Sequence, residues 1–198
     1  NQIYFVGNVM IDTLLKNENR FQQPKLWTEL QLEVKNYMVM TLHRPSNVDE
    51  EAKLKGLITK LAHLGKDYQI IFPVHPRTKK LLEGLNLTFE NLHYVAPLGY
   101  LQFNYLVKNA FAVLTDSGGI TEETTVMHVP CITLRTSTER PETCTIGTNV
   151  LVGNDPEKIA LAFEKLLSGQ WKKGGIPELW DGHAAERIIN HLTHIYKM

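Results

Sequence analysis

The chain has 198 residues, enough for one domain with a sizeable core, and its 21 basic residues are matched by 21 acidic ones. A formal charge of zero removes the electrostatic excess that proteins use to hold nucleic acid or an anionic membrane, although local basic clusters can still bind a phosphate. Cys131 and Cys144 lack a metal-ligand spacing and are too few for a disulfide framework, which points to a reducing cytoplasm, with Cys131 as a small core residue.

Residues 3–6 read as a strand entered in mid-protein, which suggests a chain processed or cut from something longer. The start has no basic-then-apolar signal pattern, and no apolar run approaches the roughly 20 residues that cross a bilayer. Residues 12–31 begin with helical periodicity and run into polar sequence interrupted by Pro24, as a hinge helix or an irregular connection would. Further on, short β-rich runs that are apolar on both faces predict strands over 37–42, 69–74, 93–96, 112–115, 131–134 and 150–152. Between them, amphipathic stretches predict helices. The first runs through Leu54, Leu57, Ile58, Leu61 and Leu64, with Asn47 or Asp49 as its cap and Gly65 as its stop. Others are expected over 77–85, 100–109, 119–128, 155–168 and 184–196. Residues 171–177, with Gly174, Gly175 and Pro177, form the most loop-like segment and lead to a last helix that packs partly on something else. Strands alternating with helices at this spacing imply a parallel sheet with right-handed crossovers: an α/β, Rossmann-like, doubly wound domain.

In such sheets ligands bind beyond the carboxyl ends of the strands, and there the chain places its unusual polar residues. The second predicted strand is followed by His43-Arg44-Pro45-Ser46-Asn47, the third by His75-Pro76-Arg77-Thr78, and the fifth by Asp116-Ser117-Gly118-Gly119. The sixth is followed by Arg135-Thr136-Ser137-Thr138-Glu139-Arg140. Two glycines at a strand-to-helix turn let backbone amides approach a ligand, and the helix start adds unpaired N–H groups and about half a positive charge. Ser117, Gly118 and Gly119 are thus candidates for a diphosphate, with the Ser117 hydroxyl assisting. The glycine spacing matches neither a dinucleotide fingerprint nor a Walker A loop, so NAD and P-loop hydrolysis are disfavoured. Glu122 and Glu123 suit the helix start electrostatically, and either could also accept the hydroxyls of a ribose. Two His/Arg pairs at neighbouring strand ends suit an anion or a sugar, with His as acid, base or donor near neutral pH. No third ligand accompanies them, so no metal is expected. Phe103, after Pro97-Leu98-Gly99-Tyr100-Leu101, either stacks on a base or packs in the core, and His183, His191 and His194 belong on a solvated helix face.

Taken in order, the segments at 41–47, 73–78, 114–123 and 135–142, with residues 6–12 and 147–153, resemble the C-terminal half of the non-hydrolysing UDP-N-acetylglucosamine 2-epimerases. The resemblance covers nearly the whole chain. It implies the second domain of a GT-B arrangement, two Rossmann-like domains facing across a cleft, with residues 182–198 crossing to the other domain. By that resemblance Ser117, Gly118 and Gly119 hold the diphosphate, Glu123 the ribose, Phe103 and the backbone at Leu98 the uracil, and Arg140 a phosphate. His43 matches a catalytic histidine near the departing UDP. Arg44 and His75 match positions associated with a second, regulatory substrate molecule. The implied chemistry is anti elimination of UDP to a 2-acetamidoglucal and re-addition after protonation at C2 from the opposite face, without a cofactor. The acid–base carboxylates belong to the N-terminal domain, so this chain alone is expected to be inactive. The implied partners are a UDP-sugar, its own N-terminal domain and a second copy in a homodimer. A GT-B glycosyltransferase donor domain, a non-catalytic UDP-sugar-binding module and a ligand-free interaction domain stand as alternatives.

Overall fold

The computed structural model describes residues 3–74 and 76–196; His75, one of the expected site residues, lies outside them. The elements in chain order are α1 (Val9–Asn17), α2 (Lys25–Glu29), β1 (Tyr37–Thr41), α3 (Pro45–Val48), α4 (Glu51–Leu64), β2 (Gln69–Pro73), α5 (Pro76–Leu85), β3 (Leu92–Val95), α6 (Tyr100–Asn109), β4 (Ala112–Thr115), α7 (Gly118–Val126), β5 (Cys131–Thr133), α8 (Glu142–Thr145), β6 (Asn149–Leu151), α9 (Pro156–Leu167) and α10 (Ala184–Tyr196). The six strands form one sheet in the order β3-β2-β1-β4-β5-β6, with every pairing parallel.

Alternation along β1 explains how both faces are covered. Met38 and Met40 join Leu42 in a core layer with Leu54, Ile58 and Leu61 of α4 and Phe163 of α9. Tyr37 and Val39 point the other way, toward Leu106 and Val107 of α6. Burial on both faces is why the strands read as unbroken apolar runs. The buried Tyr37 hydroxyl donates to the carbonyl of Leu106 at 2.5 Å, so even this polar atom is satisfied.

Because the chain order reverses between β1 and β4, the sheet has its topological switch point there, and a crevice opens beyond the ends of those two strands. The hydroxyls of Thr41 and Thr115 hydrogen-bond at 2.6 Å across that point.

Two expectations are overturned. Residues 3–6 form no strand: Ile3 is 88 % and Phe5 64 % exposed, and the Tyr4 ring lies 4.4 Å from that of His191 on α10. Their β propensity goes unused because these residues lie against a helix, not against a sheet edge. Nor do Asn47 or Asp49 cap the long helix. Asn47 is spent inside the fold, and α4 begins after Glu50, which makes no side-chain cap. At its far end Gly65 keeps a negative φ while its N–H bonds the carbonyl of Leu61. Smaller differences shift β3 and β6 by one residue and end α7 at Val126, with His128 in the left-handed region at φ 53°.

The region from residue 12, expected as a hinge helix or an irregular connection, resolves into α1, a short 3-10 turn and α2. Asp12 on α1 then caps α10 from outside, its carboxylate accepting from the amides of Ala184 at 3.1 Å and Ala185 at 2.7 Å. Loss of an N-cap costs about 1 kcal/mol. Asp12→Ala is therefore expected to lower global stability little but to speed amide hydrogen exchange throughout residues 184–196. Unchanged exchange there would show that packing alone seats the helix.

Candidate functional site

Asp116, directly after β4, organises the crevice and is wholly buried. Its carboxylate accepts from the backbone amides of His43 at 3.1 Å and Arg44 at 2.9 Å, from Asn47 Nδ2 at 3.0 Å, and pairs with His43 Nδ1 at 2.9 Å. Burial pushes this carboxyl up. The hydrogen bonds from the His43 side chain and the Arg44 amide, with the attraction of His43, outweigh it and hold the group below its ordinary value. The bond to Nδ1 fixes the orientation of the imidazole ring at the crevice. Arg44 also donates from Nε to the carbonyl of Asp116 at 3.3 Å, and Asn47 reaches on to the carbonyl of Leu134 and to Asn154. The ends of β1, β4 and β5 are thereby locked to one another. Sequence reasoning missed Asp116 and Asn47 as hubs; the only signal was an acidic residue at the end of a wholly apolar strand.

The next residues make the turn. Ser117 is the N-cap of α7 in an extended conformation, and its own side chain does not cap the helix, so the first-turn amides keep their capacity for an anion. The Gly118 and Gly119 positions are crowded. A Cβ on Gly118 would stand 3.3 Å from Arg135 Nη1, and one on Gly119 would stand 2.8 Å from Met10 Cε. The turn is therefore walled by α1 on one side and by the segment after β5 on the other. Helix α7 is also unusual in burying Thr121, Glu122, Glu123, Thr124 and Thr125 in succession. Thr121, Thr124 and Thr125 satisfy their hydroxyls on carbonyls three or four residues back.

The two glutamates of α7 face different neighbours. Glu123 lies against α6, where the Tyr100 hydroxyl and the Asn104 amide bond its carboxyl. Burial raises that carboxyl above its usual range, these two bonds oppose the rise, and the charge of Glu122 adds to it. Reciprocally, burial and the Glu123 carboxylate push the Tyr100 phenol up, so it stays a donor. Glu122 instead takes bonds from Asn8 and from Arg140 Nε, the latter at 3.3 Å.

His43, Leu98 and Phe103 come together. They line one cavity of about 200 Å³ with Thr41, Leu42, Pro73, Pro97 and Ile120, at the mouth of the switch point. Phe103 also packs against the α6 side of the core, as one of its two expected roles requires. A larger hollow of about 410 Å³, lined by Glu29, Lys66, Asp67 and Glu90 among others, lies by the opposite ends of β2 and β3, remote from these groups. Among the described residues no cluster of three or more His, Cys, Asp and Glu could hold a metal ion, and no helix is long and apolar enough to cross a membrane.

A family model described as UDP-N-acetylglucosamine 2-epimerase matches residues 1–193. The chain is 38 % identical over 206 residues to UDP-N-acetylglucosamine 2-epimerase of Methanocaldococcus jannaschii, covering 98 % of this chain and 55 % of that protein. It is 32 % identical over 196 residues to UDP-2,3-diacetamido-2,3-dideoxy-D-glucuronate 2-epimerase of Pseudomonas aeruginosa, covering 98 % of this chain and 53 % of the relative. The crystal structure of the Methanocaldococcus jannaschii UDP-GlcNAc 2-epimerase in complex with UDP-GlcNAc and UDP superimposes with a TM-score of 0.82 at 40 % identity, over 98 % of this chain and 55 % of that one. The chain thus spans about half the length of the relatives it matches. By the extent of the family match, it belongs to the UDP-N-acetylglucosamine 2-epimerase family.

Proposed function

We propose that this chain is the UDP-binding, C-terminal half of an enzyme that interconverts UDP-N-acetylglucosamine and UDP-N-acetylmannosamine by elimination and re-addition of UDP. The observation that carries the reading is the uncapped start of α7 at the switch point, beside His43 and the Leu98–Phe103 cavity. Uracil would enter that cavity against Phe103 and the backbone at Leu98. The ribose hydroxyls would bond Glu123, and the diphosphate would lie on the Ser117-Gly118-Gly119 turn within reach of Arg140. As the C1–O bond breaks, negative charge grows on the leaving diphosphate. Amides and cations already in place stabilise it without reorganisation. His43, held in place by Asp116, would serve as the donor to that leaving group.

The proton transfers at the sugar need a base and an acid on opposite faces, and we assign those to an N-terminal domain that this chain does not include. Helix α10 supports a cross-domain seat. Only Ala184 of it is buried, while Ile189, Leu192, Ile195 and Tyr196 are exposed, a face suited to an apolar partner. Arg44 sits on the same rim as His43, which suits a second substrate molecule held where the two domains meet. Free thiols at Cys131 and Cys144 suit a reducing compartment such as the cytoplasm.

Calorimetric titration of the full-length protein with UDP tests the reading. Saturable binding is expected, weakened in Glu123→Ala and by about 10- to 100-fold in Arg140→Ala, as loss of a charge-assisted bond implies. Unchanged affinity in both variants would refute the site. Tight binding with no epimerisation would instead favour a binding module.

A further inference from the structure

From the geometry around α7 we infer that Glu122 is a positioning residue that aims Arg140 at the diphosphate, and that Asn8 ties this pair to the segment leading into α1. The inference rests on the proposed UDP site and assigns a part of it that the family resemblance leaves without a role.

Both oxygens of Glu122 are engaged by segments far apart in the chain: Oε2 by the Asn8 side chain and Oε1 by Arg140 Nε. Glu122 is 6 % exposed, and a carboxyl group so buried needs hydrogen-bond partners around it. The nearby Arg135 shows the alternative, a guanidinium fork closed at both ends. Its Nη1 and Nη2 bond the two oxygens of Glu139 at 2.9 and 2.7 Å, which occupies the face that a phosphate needs. Arg140 is held differently. Glu122 takes it by Nε, the inner edge of the fork, and the side chain is 46 % exposed. The Nη end, the part that grips a phosphate bidentately, thus remains available.

The backbone of Arg140 is fixed as well. Its amide donates to Thr138 Oγ1 at 3.1 Å, and its carbonyl accepts from the amide of Thr143 at 3.0 Å and its hydroxyl at 2.8 Å. With the backbone fixed and Nε pinned, few rotamers remain to be lost on binding, which is how preorganisation raises affinity. Asn8 gives the pair a second anchor. It is buried, its Oδ1 caps α1 by accepting from the amide of Met10 at 2.9 Å, and Met10 lies over Gly119. Any shift of residues 6–9 therefore acts on Glu122 and the wall of the anion turn together.

The test compares two probes on the full-length protein: UDP, and uridine, which lacks the phosphates. Glu122→Gln is expected to weaken UDP binding about 5- to 30-fold and to leave uridine affinity within about twofold, since only the phosphate contact is disturbed. In an Arg140→Ala background, Glu122→Gln should change UDP affinity less than about twofold, because the two residues act as one unit. Asn8→Ala, a milder disturbance, should show the same selectivity for UDP at about 3- to 10-fold, and it serves if Glu122→Gln fails to fold. Equal losses for UDP and uridine, or independent effects of Glu122 and Arg140, would overturn the inference while leaving the UDP site standing. Wild-type protein that binds neither probe would overturn the site itself.

Discussion

On the role proposed for His43, replacing Asp116 with Asn is expected to lower kcat of the full-length protein by about a thousand- to ten-thousand-fold, the size of effect seen when a catalytic imidazole loses the carboxylate that sets its tautomer. The amide cannot accept at every position now filled by the backbone amides of His43 and Arg44, Asn47 Nδ2 and His43 Nδ1. One of those donors will face an NH2 group. Removing one partner from a buried charged network costs about 3–5 kcal/mol, so a fall in melting temperature should accompany the kinetic loss. The pH dependence separates the two effects. Asp116 has a folded-state pKa below its unfolded one, so the stability it supplies is present above the unfolded value near 3.8 and lost as pH falls through the lower folded value. Wild type should lose stability on acidification through that window, and Asp116→Asn should show a flatter acid limb. A variant with full kcat and an unaltered acid limb would remove Asp116 from its place under His43.

That such a residue can be missed in the sequence shows what pattern reading captures. Strands β1, β2, β4 and β5 are legible because both faces are buried and the apolar runs are unbroken. Site residues at their ends follow from a rule of sheet topology, so His43 and the Ser117-Gly118-Gly119 turn come with them. Helices α9 and α10 are legible from strong periodicity, and Asp155 caps α9 as a local signal should. Asn47 misleads for the opposite reason. Its preference for helix starts is local, whereas its amide is used across the fold by Asp116, the carbonyl of Leu134 and Asn154. Residues 3–6 mislead because β propensity becomes a strand only beside a sheet edge. Glu122 and Glu123 are adjacent and chemically identical in the sequence. Only the roughly 100° turn between successive helical positions sends one to Arg140 and Asn8 and the other to Tyr100 and Asn104.

Gly147 shows the same limit in steric form, and adding a single methyl there is expected to be strongly destabilising. Gly147→Ala would place a Cβ 2.5 Å from both Cγ2 and Oγ1 of Thr125 and 2.7 Å from the carbonyl oxygen of Thr143. Thr125 cannot swing away freely, because its hydroxyl is bonded to the carbonyl of Thr121 at 2.8 Å within α7. The chain cannot retreat either, since Gly174 packs against the other side, its own ideal Cβ 2.8 Å from the Gly147 carbonyl carbon, and the Gly175 amide bonds the carbonyl of Ile146 at 2.6 Å. Overpacking by a methyl costs about 1–3 kcal/mol, and a broken Thr125 bond adds about 1 more. A total of about 2–4 kcal/mol corresponds to a fall of roughly 5–15 °C in Tm for a domain of this size. The strain is delivered to α7, so UDP affinity should fall too, even at temperatures where the variant is folded. Gly56→Ala supplies the contrast: on the solvent side of α4, with nothing within 4 Å of the added Cβ, it should stabilise by about 0.5–1 kcal/mol. Thermal unfolding of both variants decides the matter. A Gly147→Ala protein as stable as wild type would mean that α7 and the segment at 142–149 can slide apart, and the anion turn would then be far less rigid than its crowding implies.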